Sequence, residues 1–164
     1  MIDTILDAIA ALPIGQYIAE DPVAFPWTET AHVICLVIVF GSILLIDLRL
    51  MGLASRDYSV NALTRTILPV TWVAFLGAAI TGALLFSSNP HGYWGNFYFK
   101  AKMCLLLAAG VNMLVFHFVT QRRAPMDQPG VLPGGARLAG FISAVIWIAV
   151  IACGRWIGFT MSPF

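Results

Sequence analysis

A chain of 164 residues that is 60% hydrophobic and only 10% charged cannot cover itself with a water-compatible surface, since soluble domains carry about 25% charged residues. A mean hydropathy of +0.87, with apolar residues gathered into long runs, excludes a soluble enzyme and points to the membrane. The 12% aromatic content excludes disorder, a net charge of +1 leaves no nucleic-acid footprint, and three scattered cysteines give no disulfide framework.

At the start of the chain Ile2, Ile5, Leu6 and Ile9 recur at helical spacing, with Asp3 and Asp7 on another face. This predicts a short amphipathic helix lying at the membrane interface and ended by Leu12-Pro13. No positive segment precedes it and the two aspartates interrupt it, so it does not read as a signal peptide. Four stretches long enough to span a bilayer follow, at residues 27–51, 66–86, 99–120 and 138–159. Backbone groups must satisfy one another in lipid, and strand alternation is absent, so these are helices. Between the second and third spans Pro90, Gly92 and Gly95 break the chain, while Tyr93, Trp94, Phe97, Tyr98 and Phe99 supply an interfacial aromatic belt. The segment 122–137 is rich in Pro and Gly and reads as an exposed linker. The expected architecture is one domain over residues 1–164: an all-α integral membrane four-helix bundle with an N-terminal amphipathic interfacial helix.

The basic residues orient it. Arg49, Arg56 and Arg65 flank the first connection, and Arg122, Arg123 and Arg137 the second. The other side carries Lys100, Lys102 and Arg155, together with the acids Asp3, Asp7, Glu20, Asp21 and Glu29. The positive-inside rule puts both arginine-bearing connections in the cytoplasm and both termini outside, in the periplasm if the cell is Gram-negative.

Ionisable residues inside a span are costly and point to function. Glu29 and His32 sit early in the first span on one face, Lys100 and Lys102 open the third, and Arg155 lies near the outer end of the fourth. They form either a charge-neutralising network between helices or the wall of a site. His117 lies late in the third span, with Met113 and Gly110 on its face. It is either bonded to a carbonyl of another helix or is a second ligand, with Gly110 clearing room for a flat group. Imidazole is the commonest metal ligand and binds haem iron axially, so His32 and His117 are candidate haem b ligands. Their depths differ by about half the membrane or more, so they do not clamp one iron within a monomer. His91, in the outer loop, and Cys35, one turn after His32, are weaker candidates, and a His with Cys or Met ligands would suit copper. Asp47 and Arg49 close the first span, where Asp47 could meet a partner from the third or fourth span in a cytoplasmic-side cap and ion pair, with a proton relay as the alternative for Asp47. Ala74, Gly77, Ala78 and Thr81 make a small-residue packing stripe, and Asn112 is a candidate interhelical donor.

These residues carry a resemblance. Glu29-Thr-Ala-His32 through Asp47-Leu-Arg49-Leu-Met-Gly52, Thr81-Gly82, Phe99-Lys100-Ala-Lys102, Asn112, His117, Ser143, Trp147 and Gly154-Arg155-Trp156-Ile157 resemble the pattern of a group of uncharacterised small bacterial four-helix membrane proteins. That resemblance implies a four-helix membrane domain and no settled activity. In layout the chain also looks like small b-type cytochromes, from which it departs by lacking same-depth histidine pairs.

The leading expectation is therefore a membrane redox or electron-transfer protein binding haem b through His32 or His117, with copper as a further option and Lys100, Lys102 and Arg155 placed for the haem propionates. If it is an enzyme, it is an oxidoreductase. The alternatives are an ion or proton transport component and a structural accessory subunit of a larger membrane complex. The expected partners are the lipid bilayer, further copies of the chain and a redox partner. No G-x-S-x-G, H-E-x-x-H or phosphate loop supports soluble-type catalysis.

Overall fold

The computed structural model describes residues 1–55, 57–120 and 132–161. These form α1 (Ile2–Ala10), α2 (Pro13–Glu20), α3 (Ala24–Met51), α4 (Val60–Ser88), α5 (Pro90–Gly95) and α6 (Phe97–Val115). A π-helical turn (Phe116–Thr120) extends α6, and α7 (Gly134–Met161) completes the fold. Four helices are long and apolar enough to cross a membrane: α3, α4, α6 with its extension to Phe118, and α7. Each begins a few residues before the stretch its hydropathy marks, and α4 and α7 also end beyond it, whereas α3 ends at Met51 as expected.

Asp21 Oδ1 accepts from the backbone N–H of Val23 and Ala24 at the start of α3. Ser59 caps α4 by accepting from Ala62, and Asn96 caps α6 by accepting from Tyr98 and Phe99. At the other end of α3, Gly52 takes a left-handed φ of 76°, so that its N–H meets Arg49 O and that of Leu53 meets Leu48 O.

Two helices were not legible: α2, and α5, where Pro90 at the first helical position and the Asn89 side chain accepting from Gly92 start a short helix over residues read as breakers. After α1, as expected, Leu12-Pro13 ends the first helix, but Pro13 also starts α2 at an angle of 66° to α1. Neither is long enough to cross a bilayer alone. Gly15 of α2 lies against the Ser87 carbonyl of α4, too close for any Cβ, which seats α2 on α4. Asp7 of α1 meets His91 of α5 at 2.9 Å, which seats α1 on α5. Arg137, placed in a connection by its flanking prolines and glycines, is in the first turn of α7, since Pro133 and Gly134 begin that helix. Arg56, Arg122, Arg123 and most of the linker over 122–137 lie outside the described residues.

The spanning helices pack in the order α4–α3–α7–α6. The α3–α4 pair is the most extensive, and Ala74 and Ala78 of the small-residue stripe are buried in it. Ser42 and Thr71 are hydrogen-bonded across it at 2.8 Å. Gly140 of α7 fits against the Asp47 carbonyl and Leu50 of α3. Val39, Ala74, Trp147 and Val150 form the central core, with Leu105, Leu106 and Ala109 of α6 packed on it. Asn112 of α6 donates to the Ala139 carbonyl of α7 at 3.1 Å, the interhelical bond its sequence context suggests. Among the described residues α4 and α6 are not close neighbours, so the bundle is open on that side. Only at the end carrying both termini do rings bridge it, with Phe86 of α4 stacked on Phe99 of α6 at 5.3 Å and Tyr93 tilted against both.

Candidate functional site

The helices bring polar side chains together at two levels: near the end carrying both termini, called here the terminal end, and at the opposite, loop end. At the terminal end His32 lies eight residues into α3, about 12 Å along its axis. Its ring lies over Gly82 of α4, with Cε1 only 3.1 Å from where a Cβ would be. His32 Nδ1 is 3.0 Å from Thr81 Oγ1. That hydroxyl is itself 2.7 Å from the Gly77 carbonyl four residues back. With the hydroxyl proton on the Gly77 carbonyl, Thr81 accepts from His32, and the imidazole carries its proton on Nδ1 and a lone pair on Nε2. The Ala78 carbonyl is a further partner of the ring. A histidine that ligates a metal has its other nitrogen held in this way.

Lys102 of α6 completes this level. Its ammonium is near enough for its charge to act on the imidazole. It lies 3.7 Å from the Cβ position of Gly154, beside Cys153. Among the described residues the one ion pair is His91–Asp7, so Lys102 has no carboxylate partner there. Phe86 and Phe99, stacked on each other, with Tyr93 tilted against both, roof this level one turn nearer the terminal end. Glu29 is exposed and acts on Tyr93 rather than on His32. Burial first, and the Glu29 charge second, hold the Tyr93 phenol above its ordinary value.

The other candidates lie elsewhere. Lys100 is exposed and sits over Trp94, 5.9 Å from its ring centre. Arg155 is exposed and lies over Phe159 at 4.4 Å. His91 is engaged with Asp7. Cys35 Sγ packs on Gly77, 2.8 Å from its Cβ position, which makes it a packing residue between α3 and α4. His117 lies in the π-helical turn at the loop end, exposed, its ring edge-on to Phe118 at 5.3 Å. A Cβ on Gly110 would meet nothing within 4 Å, so that glycine does not hold a neighbour close. Among the described residues no three His, Cys, Asp or Glu side chains group closely enough to hold a metal ion.

At the loop end Asp47 and Arg49 are both buried, at 4% and 0% exposure. They do not pair: two residues apart on one helix, they point to different sides. The Asp47 side chain meets Ser143 of α7, and Arg49 Nε donates to the Tyr58 carbonyl at 2.8 Å. A partner for Asp47 from the fourth span is what its depth suggested, and Ser143 fills that place; Thr81 for His32 and the Tyr58 carbonyl for Arg49 are the partners that sequence reading did not find.

The fold thus defines an all-α protein with four potential spanning helices and one polar level near the terminal end. The chain belongs to the family of unknown function DUF6644, whose model matches residues 16–160. No curated protein and no solved structure matches it.

Proposed function

We propose that this protein is a haem b-binding redox protein of the bacterial cytoplasmic membrane, in which His32 would hold the haem iron through Nε2. The observation that carries the reading is the Thr81–His32 hydrogen bond, which leaves Nε2 as a lone-pair donor on a ring held in place. Haem brings four nitrogen ligands of its own, so one imidazole suffices and no cluster of protein ligands is needed. The open side between α4 and α6 gives a flat apolar group a way to His32, and Lys102 offers a cation for a propionate. Bound there, haem would supply one-electron chemistry; the chain's own part is to fix the ligand, exclude water under the aromatic roof and balance charge. His117, at the other end of the bundle, would take no part in this site.

The test is a visible spectrum of detergent-purified protein made with haem available, oxidised and then dithionite-reduced, with metal analysis on the same sample. A Soret band that His32→Ala removes and His117→Ala leaves intact supports the assignment. A colourless, metal-free wild type overturns it. A second reading, a structural subunit in which His32 only ties α3 to α4, is favoured by the parallel Ser42–Thr71 bond across the same pair. It predicts a colourless protein that co-purifies with a partner.

A further inference from the structure

Some 25 Å along α3 from His32 lies a charge that nothing described above uses. Arg49 is fully buried. Its Nε is satisfied by the Tyr58 carbonyl, but Nη1 and Nη2 have no hydrogen-bond partner among the described residues. Leu50, Val60, Leu132 and Ala136 form the apolar cluster at this level, with Ile46 and Phe116 against it. A guanidinium stays protonated, so it cannot escape the cost of burial by losing its charge. Asp47 does not neutralise it, because the two point apart, and its own Oδ2 is likewise without a partner among the described residues.

The two free nitrogens of one guanidinium form a planar fork that matches two oxygens of an oxyanion. The surroundings favour such a ligand. Arg65 of α4 and Arg137 of α7 are exposed at the same end of the bundle and raise the local concentration of anions. The covering connection between α3 and α4 turns through left-handed residues at Gly52 and Ser55, and its Tyr58 carbonyl orients the fork from the Nε side.

We propose that Arg49 is the centre of a phosphate-binding site at the loop end, taking the phosphate of either a free anion or an anionic phospholipid headgroup. The site is independent of the haem reading, since it shares no residue with the His32 level.

The experiment measures the melting temperature of the delipidated full chain in a neutral detergent. One arm titrates inorganic phosphate against chloride at equal ionic strength. The other titrates short-chain phosphatidylglycerol against phosphatidylcholine. A saturable rise in the phosphate arm identifies a free-anion site, and a rise confined to phosphatidylglycerol identifies a lipid site. Either rise should require at least tenfold more ligand in Arg49→Gln and be partly restored in Arg49→Lys. Should Arg49→Gln fail to fold, Asp47→Asn decides: the rise is kept or strengthened if the fork holds phosphate, and a rise lost in this variant makes Asp47 part of the Arg49 charge balance and overturns the proposal. A wild type that neither ligand stabilises also overturns it.

Discussion

A single hydroxyl proton sets the chemistry of His32. Because Thr81 donates it along its own helix, the imidazole has to be the donor between them, and its reactive nitrogen is the far one. Removing the hydroxyl in Thr81→Val takes away the ring's side-chain hydrogen bond across the helix pair and leaves its approach to the Ala78 carbonyl. The expected cost is about 1 kcal/mol of stability, in the range for interhelical side-chain bonds. A melting-temperature cycle with His32→Ala should show the two losses to be non-additive; full additivity would mean the bond contributes nothing. Tyr93 offers a second handle. Its folded pKa lies above the ordinary tyrosine value of about 10, because burial and Glu29 both oppose the phenolate. The folded state therefore holds this proton more tightly than the unfolded state. The stability linked to it is intact below about pH 10 and is lost as pH rises through the raised folded value. Tyr93→Phe keeps a ring against Phe86 and Phe99 and removes the titration, so its stability should fall less steeply above about pH 10. Parallel alkaline curves for the two proteins would argue that the phenol does not titrate in this window.

Between elements, glycine separates close approach from mere flexibility. A Cβ on Gly140 would stand 2.9 Å from both the Asp47 carbonyl and Leu50 Cβ, and the first of these is backbone that cannot turn aside. Gly140→Ala should push α7 off α3 and cost about 1–3 kcal/mol, the usual penalty of overpacking. Gly110 on α6 meets nothing, so Gly110→Ala should be neutral or stabilise by up to about 1 kcal/mol through helix propensity. Melting both variants in the same detergent checks the pair, and a loss at Gly110 equal to that at Gly140 would refute the packing order. This contrast also marks the limit of sequence reading. The four spans were legible because apolar runs of that length have one explanation. Their inward faces were not, because a helix bathed in lipid is apolar all round and periodicity no longer marks the core. His32 stood out as an ionisable group in such a run, yet Thr81, 49 residues away, was marked only by a small-residue stripe and a place in the family pattern, neither of which ties it to His32. The ion pair expected at Asp47 is replaced among the described residues by a hydroxyl partner, Ser143 of the fourth span, while Arg49 is turned to another side of the helix and bonded to the Tyr58 carbonyl. α2 was missed because its eight residues owe their place to Gly15 against Ser87 and not to a strong pattern of their own.

For the molecule as a whole the geometry fixes which groups share a side, and the charge pattern then assigns the side. α1, α2 and α5 gather at one end with the start of α3, the end of α4, the start of α6 and the end of α7. Asn96, which caps α6, donates to Thr160 near the end of α7, closing that end. Lys100, Lys102 and Arg155 belong to this end, and Arg49, Arg65 and Arg137 to the other. If the arginine-bearing end faces the cytoplasm, the His32–Lys102 level lies within reach of the outer surface and the Arg49 fork close to the inner leaflet. The two proposals thus depend on opposite faces of the membrane, and one labelling experiment bears on both. With Cys35, Cys104 and Cys153 replaced by alanine, Asp3→Cys should react with a membrane-impermeant maleimide in intact cells, and Arg65→Cys only after the cells are opened. The reverse result would turn the molecule over. His32 would then draw electrons from the cytoplasmic side, and the Arg49 site would face an outer leaflet, where cytoplasmic phosphate does not reach it.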